Sequence, residues 1–254
     1  MRVVAMWRFP VKSLQGERCE ALELTSGGVA GDRSLGVLDV AAGTILSGKR
    51  DGRLLEGQAC WRDGEVRVRV PGDRVERPPG AALDDAVTRW LGLAARVVAA
   101  ASHGVGTFES HEDAWDDAST LVRWEGIDGS FVDESHLHLV TTGDLDRLAG
   151  ERPELQWDAR RFRPNAVVEA PAGWLRVGSR LQLGSATVEV VKGCTRCAMT
   201  TRPQPGGLVH EPELLRHVRA AHDSVVGVRA RVVRPGWLGQ EDAVEVVVAA
   251  AESG

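Results

Sequence analysis

Short apolar or alternating runs, each cut off after a few residues by a turn bearing glycine or proline, recur along nearly the whole chain. Val3 to Trp7, Ala21 to Leu24, Leu35 to Val40 and Glu65 to Val70 are such runs, with Ser26-Gly27-Gly28 and Ala41-Ala42-Gly43 among the breaks. Runs of this length are strands, and many in series must curl into barrels or sandwiches to protect their edges. Val66-Arg67-Val68-Arg69-Val70 is the cleanest, with one apolar and one basic face.

Helical spacing is the exception. After Pro78-Pro79-Gly80, the residues Leu83, Val87, Trp90 and Leu91 form one stripe that stops at Gly92, and a strand from Ala94 to Ala99 follows. The second half adds strands at Leu137 to Val140, Ala166 to Glu169, Arg180 to Leu183, Thr187 to Lys192, Val225 to Val233 and Val244 to Ala249. Thr141-Thr142-Gly143-Asp144 leads into a short helix ending near Leu148. A further helix runs from Glu211 to His222, with Pro212 at its start and Leu214, Leu215, Val218 and Ala221 along one side. The expected fold class is mainly β with inserted helices, an α+β chain.

Length sharpens this. The 254 residues amount to about 1.7 average domains. Residues 101–132 break the strand pattern and are acidic from Glu109 to Asp117. They read as a long surface loop joining a first half, 1–100, to a second, 133–254. The acids there suit either solvent or a divalent cation.

Charge narrows the partners. The 31 basic and 36 acidic residues, net −5, are spread along the chain, whereas nucleic-acid proteins cluster their cations on one face. Met1 to Ser13 lacks a signal-peptide core, and no apolar run approaches about 18 residues. Neither nucleic acid nor membrane is expected as a partner, and the cytoplasm is the expected compartment. Cysteines stay reduced there, so Cys19, Cys60, Cys194 and Cys197 are not read as disulfides.

Candidate chemistry falls in a few segments. Cys194-Thr195-Arg196-Cys197 ends a strand beside Lys192, where cations favour thiolate. A single CxxC is too little for a structural zinc site, which leaves metal ligation by one thiolate, dithiol redox or inert buried thiols. Thr141-Thr142 at a helix start suits a phosphate or simply an N-cap. Arg160, Arg161 and Arg163, beside Asn165, fit an anion site or a solvated basic edge. His136 and His138 share one strand face and read as packed or hydrogen-bonded. The three lysines, Lys12, Lys49 and Lys192, stand out among 31 cations, and each lies in one of the motif segments.

In order, Phe9-Pro10-Val11-Lys12-Ser13-Leu14, Gly31-Asp32-Arg33, Ser47-Gly48-Lys49, Thr141-Thr142, Arg161-Phe162-Arg163-Pro164-Asn165 and Cys194-Thr195-Arg196-Cys197-Ala198-Met199-Thr200-Thr201 resemble the signature series of MOSC-domain proteins with an N-terminal MOSC β-barrel. That group includes the mitochondrial amidoxime-reducing component and bacterial reductases. The resemblance implies an N-terminal MOSC β-barrel packed against a C-terminal MOSC β-barrel. It also implies a molybdenum cofactor (Mo-molybdopterin), with Cys197 as the catalytic thiolate ligand to the metal. Lys12, Ser13, Arg33, Arg163 and the helix start at Thr141 and Thr142 would then hold the pterin phosphate, with Lys49 also binding the cofactor. Asn165 and the backbone at Thr195 and Arg196 would contact the pterin or orient the metal, and Cys194 has no such role.

The activity implied is reduction of a small N-hydroxylated substrate by oxygen-atom transfer. A four-Cys ferredoxin spacing and a dinucleotide fingerprint are both missing. Electrons are therefore expected from a separate protein of ferredoxin, flavoprotein or cytochrome type. The alternatives are a sulfur carrier with a persulfide on Cys197 and a molybdopterin-binding carrier, and pyridoxal phosphate binding is a further family association. Many members carry an Asp-Pro turn where this chain reads Thr200-Thr201-Arg202-Pro203, a loop expected to border the substrate. With no tyrosine present, a proton must come from an acid, water or a histidine such as His138 or His210.

Overall fold

The computed structural model describes residues 1–113 and 119–249. Strands dominate, as the alternating runs dictate. Val66, Val68 and Val70 are buried while Arg67 and Arg69 point away, which makes the strand Glu65–Arg69 half of a hairpin with Gln58–Arg62. Helix Ala81–Leu91 buries Leu83, Ala86, Val87 and Leu91 and ends on Gly92 in the left-handed region. Helix Pro212–Ala221 buries Leu214, Leu215 and Val218, but Ala221, expected on the same stripe, is exposed in its last turn.

The sheets do not divide at residue 100. An eight-stranded sheet runs in the order Val244–Val248, Arg180–Leu183, Ala186–Thr195, Val225–Arg234, Leu137–Thr141, Ala166–Glu169, Arg2–Arg8, Glu17–Arg18. The first strand of the chain is thus antiparallel to Ala166–Glu169, with Met6 opposite Ala166. Ala21–Thr25 likewise pairs with Gly236–Gly239. Val3, Met6, Leu22 and Leu24 share one core with Leu139, Val168, Val188 and Ala230.

The described residues of the stretch 101–132 do not form one long loop. Thr107–His111 and Leu121–Glu125 extend a five-stranded sheet that also contains Thr44–Ile45, Leu35–Asp39 and Ala95–Ala99. Phe108 and Phe131 are fully buried and, with Ile45 and Ala100, anchor this stretch to the first half. Polar residues around these anchors hid them from a reading based on patterning. Glu109 pairs with Arg123 at 3.1 Å and with Arg50 at 3.6 Å, so it serves ion pairs and not a cation site. Asp116 and Asp117 lie outside the described residues. Among the described residues, no helix is long and apolar enough to cross a membrane.

Candidate functional site

A cavity of about 380 Å³ opens between the two sheet systems. That volume is in the range of small-molecule and cofactor sites, about 300–1,000 Å³. Cys197, Lys12, Ser13, Arg33, Lys49, Arg163, Asn165, Thr195 and Arg196 all line it. Thr141 and Thr142 do not line it. The Thr141 hydroxyl accepts from the Asp144 amide at 2.9 Å as a plain N-cap, and Asp144 accepts from Gly173, which closes this helix start. Lys192 is also elsewhere, exposed and paired with Glu134 at 2.9 Å.

Each wall is built by local constraints. The segment after strand Arg2–Arg8 turns at Ser13, a left-handed residue (φ 67) whose hydroxyl accepts from the Gly48 amide at 2.8 Å. That bond ties the Lys12 and Lys49 segments together. Gly48 in turn sits against Met199, where a Cβ would come within 3.0 Å of the methyl carbon, and so the first half meets the loop that bears Cys197. Asn165 holds the other wall: its Oδ1 accepts from the His138 amide at 3.1 Å and its Nδ2 donates to the Trp7 carbonyl at 3.4 Å. It positions three strands, and its side chain is mostly spent on backbone.

The three arginines expected as an anion site have different roles. Arg160 pairs with Asp158 at 2.7 Å. Arg161 is fully buried and donates to the carbonyls of Gln156, Thr200, Arg202 and Val209 and to Glu211, fastening the loop that follows Cys197. Arg163 is left-handed (φ 53) and buried, and neither Nη1 nor Nη2 has a hydrogen-bond partner. Its guanidinium lies 4.1 Å from the Phe9 ring centroid, with that of Arg33 at 4.5 Å from the same ring. Burial, reinforced by the neighbouring Arg33 charge, lowers its pKa to about 9.

Lys12 and Lys49 flank Asp133. Lys12 donates to the Phe131 carbonyl at 2.8 Å and pairs with Asp133, which Lys49 also reaches at 3.1 Å. Burial opposes ionisation of Asp133, but the two ammonium groups overcome it and hold the carboxyl well below its usual range. Asp133 raises Lys49, whereas burial, with Lys49 and Arg33 nearby, brings Lys12 from 10.5 down to about 8. Native Lys12 therefore binds fewer protons than unfolded Lys12 between those values, so stability should rise with pH across that window. Melting curves from pH 7 to about 9, below the range where Arg163 contributes, should show this rise in the wild type and lose it in Lys12→Met.

Cys197 is half-buried at the start of the short 3-10 turn Ala198–Thr201, and the Thr200 amide and hydroxyl bond its carbonyl at 3.0 and 2.9 Å. Its sulfur is within electrostatic reach of Lys49. Cys194 is buried and its sulfur accepts from Arg196 Nη1 at 2.8 Å, which makes it a structural thiol. All four cysteines are free. Arg196 also donates to the Phe162 carbonyl at 2.9 Å. His138 lies 3.4 Å from Arg196, and burial, then the Arg196 and Arg229 charges, push its pKa well down, so the ring is neutral. His136 packs on Gly28 and does not line the cavity, and neither does His210.

Asp133, Arg229 and Trp124 are lining residues that the sequence reading missed. Asp133 and Trp124 lie in or beside the stretch taken for a loop, and Arg229 is one arginine in an ordinary strand. Seven cations line the cavity against Asp133 and Glu134, so it favours an anionic ligand carrying a group that a thiolate can bind.

Comparison with known proteins agrees with the order of these segments. A MOSC N-terminal beta barrel domain is matched over residues 1–92 and a MOSC domain over residues 127–245. A rice protein (Oryza sativa subsp. japonica) described as molybdenum cofactor sulfurase is 26% identical over 244 residues, covering 79% of this chain but 28% of that protein. The YUAD protein from Bacillus subtilis aligns in structure at 14% identity and TM-score 0.48, covering 96% of this chain and 94% of that one. YiiM from Geobacillus stearothermophilus aligns at 15% identity and TM-score 0.35, over 57% of this chain and 72% of its own. With both domains matched in order and the strand-built cavity between them, the chain belongs to the MOSC-domain family, carrying the family's N-terminal beta barrel domain.

Proposed function

We propose that the chain is a molybdenum-cofactor-dependent oxidoreductase that removes oxygen from N-hydroxylated substrates, with electrons from a separate donor protein. MOSC domains are associated with molybdenum cofactor binding. The observation that carries the reading is Arg163: a buried guanidinium with both terminal nitrogens unpaired, lining the same cavity as the half-buried Cys197. Buried polar groups are normally satisfied, so an orphaned cation in a cavity marks the place of an absent anion. Arg196 Nε, Arg229 Nε and Ser135 Oγ are also unpaired and line the cavity. The residues present thus fit a phosphorylated, sulfur-ligated group.

In this reading Arg163 and Arg33 bind the cofactor phosphate, and Lys12 and Lys49 add charge from the opposite segment. Cys197 supplies a soft thiolate suited to a metal held by sulfur. When bound, the cofactor supplies the two-electron oxygen-transfer chemistry. Cleaving the N–O bond consumes two electrons and two protons and releases water. The neutral His138 keeps Arg196 in place beside Cys194.

Metal and pterin analysis of the purified protein tests this. Stoichiometric molybdenum in the wild type, lost in a folded Cys197→Ser variant together with benzamidoxime reduction by an artificial donor, is the expected result. Metal-free protein that releases thiocyanate on cyanolysis would replace it with the sulfur-carrier reading, which the rice relative's description favours. Retained molybdenum without reduction would indicate a cofactor carrier.

A further inference from the structure

Away from the cavity, helix Thr142–Glu151 and helix Pro212–Ala221 end beside each other. Glu151 is the last residue of the first, His217 lies in the second, and His222 is the residue that caps it. The Nε2 atoms of both histidines lie 2.7 Å from the same Glu151 carboxylate oxygen. The three atoms are all within 4.8 Å of one another, and none of these residues lines the cavity. We propose that Glu151, His217 and His222 form a second metal site that binds a divalent transition ion of the zinc class through two imidazoles and a carboxylate.

The donor set suits this ion: His₂Glu is an established zinc ligand set, with the fourth position left to water. Tetrahedral ligands with bonds of about 2.0–2.1 Å are about 3.3 Å apart. The present 2.7 Å contacts therefore need to open by about 0.6 Å. Each ring presents its Nε2 lone pair when its proton sits on Nδ1, so binding needs a tautomer shift and no electron transfer.

Preorganisation is the second argument. The imidazoles are 14% and 11% exposed, against 34% for the carboxylate, so the rings are held by packing while the face toward solvent stays open. The rings meet edge to face at 5.6 Å, and Trp157 packs against His217 at 5.9 Å. Beneath them Leu148, Phe162, Leu214 and Val218 form a separate core. His222 is fixed by the hydrogen bond its backbone N–H donates to the Val218 carbonyl at 3.0 Å. Two helix C-termini converge here, each carrying partial negative charge that favours a cation.

Titration calorimetry of the full chain with zinc chloride tests the site. A Cys197→Ser background keeps the cavity thiol from competing. One saturable equivalent is expected there, weakened about 100-fold in Glu151→Gln and in His222→Gln, since even partners of ligands are worth about 10–100-fold. Glu151→Gln keeps a hydrogen-bond acceptor, so a merely structural cluster would tolerate it. Cobalt(II) should give a d–d spectrum without sulfur-to-metal charge transfer, and zinc should raise the melting temperature of the background protein only. Absence of a saturable equivalent, or an equivalent equally strong in both variants, overturns the proposal.

Discussion

Replacing Arg163 by methionine should raise the melting temperature of the ligand-free protein while weakening its binding of a phosphate monoester by about 100-fold or more. The two effects have one cause. Arg163 is buried, its Nη1 and Nη2 have no partner, and Arg33 shares the Phe9 ring with it. With a pKa near 9 it remains charged at neutral pH, and the Phe9 ring and the Asp32 and Asp133 charges offset only part of its desolvation cost. A hydrophobic replacement of similar volume at such a site is stabilising by about 1–4 kcal/mol, and each kcal/mol moves the midpoint of a chain this long by about 2–4 °C. Scanning calorimetry and titration with the monoester read both quantities. A fall in melting temperature would show instead that Arg163 is structural, and the argument for an anion site would lose its main support.

Arg161→Met should do the opposite. Arg161 is fully buried with every terminal nitrogen engaged, at Gln156, Thr200, Arg202, Val209 and Glu211. Its removal strands several carbonyls and the Glu211 carboxylate, and breaking such a buried network costs about 3–5 kcal/mol. The expected loss is roughly 10 °C in melting temperature. Because the Thr200 and Arg202 carbonyls anchor the turn after Cys197, the thiol should also react faster with an alkylating reagent. An unchanged midpoint would contradict this.

The two arginines show where sequence reading stops. Both stand in Arg160-Arg161-Phe162-Arg163 and look equally fit to bind an anion. The left-handed backbone at Arg163 turns its side chain into the cavity, and the preceding helical turn buries Arg161 beneath the loop. Neither fact has a local signature. Strand content and the helices at 81–91 and 212–221 were legible because period and breakers are local properties. The strands at 107–111 and 121–125 were not, since their burial rests on Phe108, Phe131 and Trp124 set among charged residues. Thr141-Thr142 suits a phosphate or an N-cap from its sequence alone, and the structure has the N-cap at a helix start that faces the 170–173 segment: a Cβ at Gly143 would lie 2.3 Å from the Ala172 nitrogen. Asp133 was invisible because its role arises only when Lys12 and Lys49, far apart in sequence, meet it.

The pairing of Arg2–Arg8 with Ala166–Glu169 also bears on how the chain is made. Arg2–Arg8 meets this partner only after more than 150 further residues have been synthesised, a wait on the order of ten seconds at typical elongation rates. Until then Val3 and Met6 lack their Leu139, Val168 and Val188 neighbours, and nascent chains held at that stage would be the ones that chaperones capture.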